Sequence, residues 1–188
     1  MRTRFLYSNL MRWTDQQVRL PSSPWHLAKQ NFQVQLAASA IEAARRHLGN
    51  SPFEQGGLLL GRLFHDAGQG SDKPLRIIAV SVDAVVPAID GIGTEVSLSI
   101  PSSVWNAAAK HKSSEQVIVG WYHSHPDIGA FFSATDRQTQ AAFFTQAWSL
   151  GWVIDPVRAE QAWFYGAKSQ ALHADQLQVV SGSENSSL

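Results

Sequence analysis

The residues best placed to do chemistry fall in one short run, Trp121-Tyr-His-Ser-His-Pro-Asp-Ile-Gly-Ala-Phe-Phe-Ser-Ala-Thr-Asp136. His123 and His125 are two apart, and at the end of a strand two such side chains point the same way, so both imidazoles can converge on one ion. Ser133 and Asp136 are three apart, which puts them on one face of a first helical turn. A strand end and a helix start joined by a glycine-containing loop can therefore bring two imidazoles and a carboxylate together. Such a set leaves the fourth tetrahedral position for water, the open geometry of a catalytic zinc, and zinc lowers the pKa of that water to around 7. An all-N/O donor set suits zinc, although affinity alone does not reject copper, nickel or cobalt. Taken singly, each residue has a plainer explanation. A His-x-His pair on a strand needs no metal, Asp136 at a helix start compensates the helix dipole, and Ser133 is a preferred N-cap.

The elements that must position these residues follow from periodicity and punctuation. Phe32, Val34 and Leu36 alternate as a short strand, and Ala37, Ile41, Ala44 and Leu48 share one face of a helix that Gly49 or Asn50 ends. Residues 54–64 read as a strand in which Gly56 and Gly57 imply close backbone approach or a bulge. A polar loop over 65–74 leads to a second strand, 75–89, and Val96, Leu98 and Ile100 alternate along a third, 95–100, with edge character. Pro101 suits the first turn of a helix running to Lys112. Residues 116–122 read as a buried strand, 133–148 as a helix stopped at Gly151, and 152–154 and 161–165 as two strands turning at Asp155 and Pro156. The expectation is one α/β (α+β) domain over 31–180, a mixed, curved sheet flanked by about three helices. An arginine-bearing arm over 1–30 would precede it and a disordered Ser/Asn-rich tail over 181–188 would follow.

Composition narrows the chemistry without naming a partner. Lys+Arg and Asp+Glu both count 15, so no net charge favours nucleic acid or a membrane surface. The absence of cysteine excludes a thiol nucleophile, a disulfide framework and any Cys-ligated metal. No apolar run approaches the roughly 18 residues of a spanning helix, and no apolar segment follows Arg2 and Arg4 as a secretory signal requires. The expected location is the cytoplasm.

His-Ser-His-Pro followed, after six intervening residues, by Ser133 and then Asp136 resembles the JAMM (MPN-plus, JAB-domain) signature. The form Gly120-Trp-Tyr-His-Ser-His-Pro126 is similar to that of eukaryotic deubiquitinases. Upstream, Glu54-Gln-Gly-Gly-Leu-Leu-Leu-Gly61 matches the family's remote glutamate before a leucine-rich strand, and Asp155-Pro156 also resembles the family. The resemblance covers roughly residues 34–166 and implies an MPN/JAB fold with one Zn2+ per chain on His123, His125 and Asp136. It implies Glu54 as the general base that passes a proton from water to the leaving amine, and Ser133 as an oxyanion donor. Only a short turn separates Asp155 from Gln161, leaving no room for the longer insertion of some relatives.

The function implied is a zinc metallopeptidase, a stand-alone prokaryotic-type isopeptidase. It would hydrolyse the bond after the C-terminal glycine of a ubiquitin-like modifier, in deconjugation or in precursor trimming. Its partners would be that modifier or its conjugate, with E1- and E2-like proteins of the same pathway as further candidates. The extended tail of the modifier would add as a strand at the edge Thr94, Glu95, Val96, Ser97 and Leu98. Two alternatives stand beside this: a general small-peptide metallopeptidase, and a non-catalytic MPN scaffold subunit, against which all the ligand positions are filled. A DNA-linked relative is disfavoured because Asp127-Ile-Gly follows Pro126 where Ser-Gly would be expected.

Overall fold

The computed structural model describes residues 10–12, 32–49, 51–65, 77–89 and 101–181. The edge strand proposed at Thr94–Leu98, most of the arm over 1–30, most of the loop over 65–74 and the tail beyond Ser181 lie outside the described residues. Among those described, the strands are β1 (Leu10–Arg12), β2 (Gln33–Ala37), β3 (Gly56–Gly61), β4 (Leu63–His65), β5 (Ile77–Val82), β6 (Ala84–Pro87), β7 (Val117–Ser124), β8 (Leu150–Asp155), β9 (Glu160–Tyr165), β10 (Gln170–Ala171) and β11 (Leu177–Val180). The helices are α1 (Ala38–Leu48), α2 (Ser102–His111) and α3 (Ala134–Phe143). The expected α+β class with three helices is what forms, and its strands divide between two mixed sheets. One runs β1-β4-β5-β2-β11 and the other β10-β9-β8-β7-β3-β6.

The second sheet carries the site, and its central strands are buried on both faces. Every residue of β3 is buried, as a continuous Gly-Gly-Leu-Leu-Leu-Gly run rather than an alternating one predicts. Leu59 joins Val119, Tyr122, Leu150 and Trp152 in a core shared with α1 and the first sheet. Leu58 and Leu60 face the other way, against Trp121, Val153 and the apolar stripes of α2 and the α3 exit at Val104, Ala108 and Phe144. The close approach expected at the paired glycines is present at Gly57, where a Cβ would run into the Val86 carbonyl of β6.

Two strands differ from their sequence reading. Residues 54–64 and 75–89 each read as one strand, yet each breaks where the chain steps from one sheet to the other, at Arg62 and at Asp83. The breaks are adjacent in space. Arg62 Nε donates to Asp83 Oδ2 at 2.9 Å, and the Arg62 and Ser81 backbones and the Ser81 hydroxyl close around them. An apolar run reports burial, and burial is the same on either side of such a step. The helix expected over 133–148 also ends early, at Phe143. Phe144 leaves helical geometry to stack on Trp105 and Trp121, with ring centroids 5.7 and 5.9 Å away.

Candidate metal centre

β7 lies between β3 and β8, antiparallel to the first and parallel to the second, with Gly56 opposite His123 and Ser124 opposite Ile154. Trp121 and His123 point to the face covered by α2 and α3 and Tyr122 to the face covered by α1, the two-residue alternation of a strand. The His123 ring lies flat on the Trp121 indole, 4.4 Å between centroids and 6° between planes. Trp121 is held in turn by Gln140, whose Oε1 accepts from the indole Nε1 at 2.7 Å while its Nε2 donates to the Ser149 and Gly166 carbonyls. Nδ1 of His123 is buried with no hydrogen-bond partner among the described residues, so stacking orients this ring. His125 sits one residue past the strand, and its amide continues the ladder to the Ile154 carbonyl at 2.9 Å.

Asp136 comes from α3. Ser133 is the N-cap, its Oγ accepting from the Asp136 amide at 3.2 Å, while Asp136 Oδ2 accepts from the Ser133 amide at 2.7 Å. This reciprocal capping box fixes the first turn and aims the remaining capacity of the carboxylate at the imidazoles. Glu54 enters from the opposite neighbour, just before β3. Ser124, between the two histidines, binds its segment through an amide-to-Oγ bond from Gln55 at 3.0 Å and a return bond from its own amide to the Gln55 carbonyl at 2.8 Å.

The result is a tight, buried cluster. His123 Nε2 lies 3.1 Å from His125 Nε2 and 3.2 Å from Asp136 Oδ1, and His125 Nε2 lies 3.4 Å from Asp136 Oδ2 and 3.6 Å from Glu54 Oε1. One donor atom from each of His123, His125 and Asp136 falls within 4.8 Å of the others. His123 and His125 are 0 and 1% exposed, Asp136 and Glu54 5 and 4%. Two inward-facing Nε2 atoms and a carboxylate around one point form a donor set that could hold a metal ion.

Electrostatics agree with that reading. Burial lowers the His123 pKa and outweighs the carboxylate beside it, keeping the ring neutral. Burial acts the same way on His125, but the Asp136 and Glu54 carboxylates and the Gly129 carbonyl raise it past its ordinary value. For Asp136 burial alone would raise the pKa, and the hydrogen bonds from both histidines and Ser133 hold it well below the carboxylate range. Glu54 is pushed up to about 7 by burial, with His125 opposing and Asp136 adding to the rise. Two neighbouring carboxyl groups are thus driven apart, one held ionised and one able to exchange a proton near neutrality.

His123, His125, Ser133, Asp136 and Glu54 are brought together as the spacing and the resemblance expect. Ser124 and Gln140 were not singled out in the sequence. Ser124 could have been found because it occupies the opposite-face position between two ligand candidates. A fully buried glutamine on an otherwise amphipathic helix leaves no local signal.

Comparison with known proteins follows the same boundaries. Residues 34–165 match the family described as prokaryotic homologs of the JAB domain. The chain is 30% identical over 113 residues to the 26S proteasome non-ATPase regulatory subunit 14 of Dictyostelium discoideum, covering 57% of this chain and 33% of that protein. It is 28% identical over 109 residues to the ubiquitin carboxyl-terminal hydrolase RPN11 of Saccharomyces cerevisiae, covering 57% and 33%. It is 29% identical over 158 residues to the COP9 signalosome complex subunit 5 of Caenorhabditis elegans, covering 78% and 39%. The chain thus spans about a third of the length of these relatives. A Desulfitobacterium hafniense protein solved in solution shares the fold at a TM-score of 0.50 and 20% identity, over 81% of this chain and 94% of that one. The family match, which runs from β2 to the end of β9 and encloses the His-His-Asp cluster and its glutamate, places this chain in the JAB/MPN family.

Proposed function

We propose that this chain is a zinc-dependent isopeptidase that cleaves after the C-terminal glycine of a ubiquitin-like modifier. The observation that carries the reading is the position of Glu54. It is a buried carboxyl group beside the His123–His125–Asp136 donor set yet outside the three ligand atoms, with Oε1 3.6 Å from His125 Nε2. Two imidazoles and a carboxylate suit zinc, which when bound there supplies a Lewis acid and brings the pKa of water to around 7. Glu54 then receives a proton at its carboxylate and delivers it to the departing lysine amine, a role that a pKa close to neutrality suits. The Ser133 hydroxyl accepts from the Asp136 amide and keeps its own proton to donate, so it can hold the developing oxyanion. Ubiquitin, named in the description of the Saccharomyces cerevisiae relative, favours a ubiquitin-like partner, and the complete set of ligand candidates favours an enzyme over a scaffold.

Ser133→Ala separates the two roles of that residue. It is expected to lower turnover by about 10²-fold and to cost about 1 kcal/mol of stability through the lost cap, read by steady-state kinetics and thermal melting. A variant with the stability loss and parental turnover would leave Ser133 a cap alone.

Substrate class is tested with the zinc-loaded chain and a ubiquitin-like protein joined through a glycine-ended tail to a lysine side chain, against short unstructured peptides. Preferential cleavage of the conjugate is expected. Proline at Val96 or Leu98 would remove a main-chain donor from the proposed docking strand, raising KM for the conjugate and leaving zinc content unchanged. Equal cleavage of unstructured peptides and conjugate would decide for a general peptidase.

A further inference from the structure

The loop from His125 to α3 cannot hold its own shape. Asp127 sits at φ 62 and Gly129 at φ 94, and left-handed backbone is disfavoured for a residue with a Cβ such as Asp127. The neighbouring β8–β9 turn supplies what holds it. Asp155, the last residue of β8, is 0% exposed, and its carboxylate accepts four main-chain donors from two loops. The amides of Asp127 and Val157 reach Oδ1 at 3.1 and 2.9 Å, that of Arg158 reaches Oδ1 at 3.0 Å, and that of Gly129 reaches Oδ2 at 2.7 Å. Burial would raise the pKa of this group, but those amides hold it below the ordinary value, so it stays ionised.

From the exposed side Arg158 closes the same loop, with Nε donating to Asp127 Oδ1 at 3.1 Å and Nη2 to the Asp127 carbonyl at 2.6 Å. Glu160 accepts from the Ala130 amide at 3.4 Å. What the loop carries makes this more than a turn fastening. Phe131, two residues past Gly129, meets the His125 ring edge-on, 5.0 Å between centroids. The loop whose amides bind Asp155 therefore seats Phe131 against a candidate ligand.

We propose that Asp155, assisted by Arg158, is a positioning residue for the metal centre: it locks the loop after His125 so that the imidazole keeps Nε2 directed at Asp136 and His123. The inference rests on the metal reading of the cluster and is independent of which bond is cleaved. Groups that orient a ligating histidine from outside the ligand set govern metal affinity as well as activity.

The test is a zinc-affinity measurement on the full chain by competition with a chelating dye, with thermal melting in parallel. Asp155→Asn keeps the volume but turns an NH2 toward amide donors, so at least one loop amide loses its acceptor. It is expected to weaken zinc binding by roughly 10- to 100-fold. Val34→Ala, a truncation in the core on the first sheet, should lower the melting temperature and leave zinc affinity unmoved. If Asp155→Asn does not fold, Arg158→Ala removes the guanidinium's contacts to the same loop and its 3.7 Å approach to Asp155 Oδ2, keeps the Asp155 carboxylate, and is expected to weaken zinc binding severalfold. Parental affinity in the folded Asp155→Asn variant, or in Arg158→Ala where that substitution stands in, would overturn this inference alone. A parent chain that binds no zinc would overturn the metal reading with it.

Discussion

Replacing His123 with alanine is expected to abolish zinc binding and hydrolysis together. The ring offers one of the three clustered donors that could hold the ion among the described residues, and its Nε2 approaches both His125 and Asp136 within 3.2 Å. Two remaining donors cannot enclose the ion. The substitution also removes a ring stacked on Trp121, so a fall in melting temperature is expected and the variant must be shown to fold. Asp136→Asn serves as the isosteric companion. Its amide oxygen can still accept from the Ser133 amide and keep the capping box, but the negative charge shared by the two imidazoles is gone. Elemental analysis should find zinc absent from His123→Ala and strongly reduced in Asp136→Asn, with cleavage at background in the first. Full zinc content in a chain lacking both His123 and His125 would end the assignment.

Glu54→Gln should give the opposite pattern, a full complement of zinc with turnover lower by roughly 10²- to 10⁴-fold. The amide keeps the length and polarity of the side chain, so nothing about the ligand cluster needs to change, yet it cannot take up a proton. Glu54 is buried beside His125 and its carboxyl group titrates near neutrality, the condition under which a base both accepts and returns a proton readily. The loss should appear in kcat with KM nearly unchanged, because Glu54 is proposed to act on the reacting atoms and not on the modifier. Near-parental turnover would remove Glu54 from the mechanism.

The site was legible where its geometry is local. His123 and His125 share a face by strand alternation, and Ser133 and Asp136 share one by helical spacing, so four of the five members could be placed by counting. Glu54 could not, since its position beside His125 depends on the pairing of β3 with β7 across a long stretch of chain; only the family resemblance pointed to it. The same limit explains the fold. Val34, Leu36 and the leucines of β3 were identified as strand residues because burial patterns repeat within a few positions. The steps between sheets at Arg62 and Asp83 are settled by partners far along the chain, and each strand run is apolar on both sides of its break. Asp155 reads in the sequence as part of a turn and of the family resemblance, with no role attached. Its four amide donors come from two loops that become neighbours only after folding.

The direction of three strands has a consequence for modularity. Because β7 is parallel to β8 and antiparallel to β3, the end of β7, the end of β8 and the start of β3 all open on the same rim. His125, Asp155 and Glu54 therefore emerge side by side from frames buried on both faces. Among the described residues, neither β6 nor α2 contributes a side chain to the cluster. The ligand candidates and the groups that hold them are thereby gathered on β7, α3 and the segments beside β3 and β8, one rim of a single sheet.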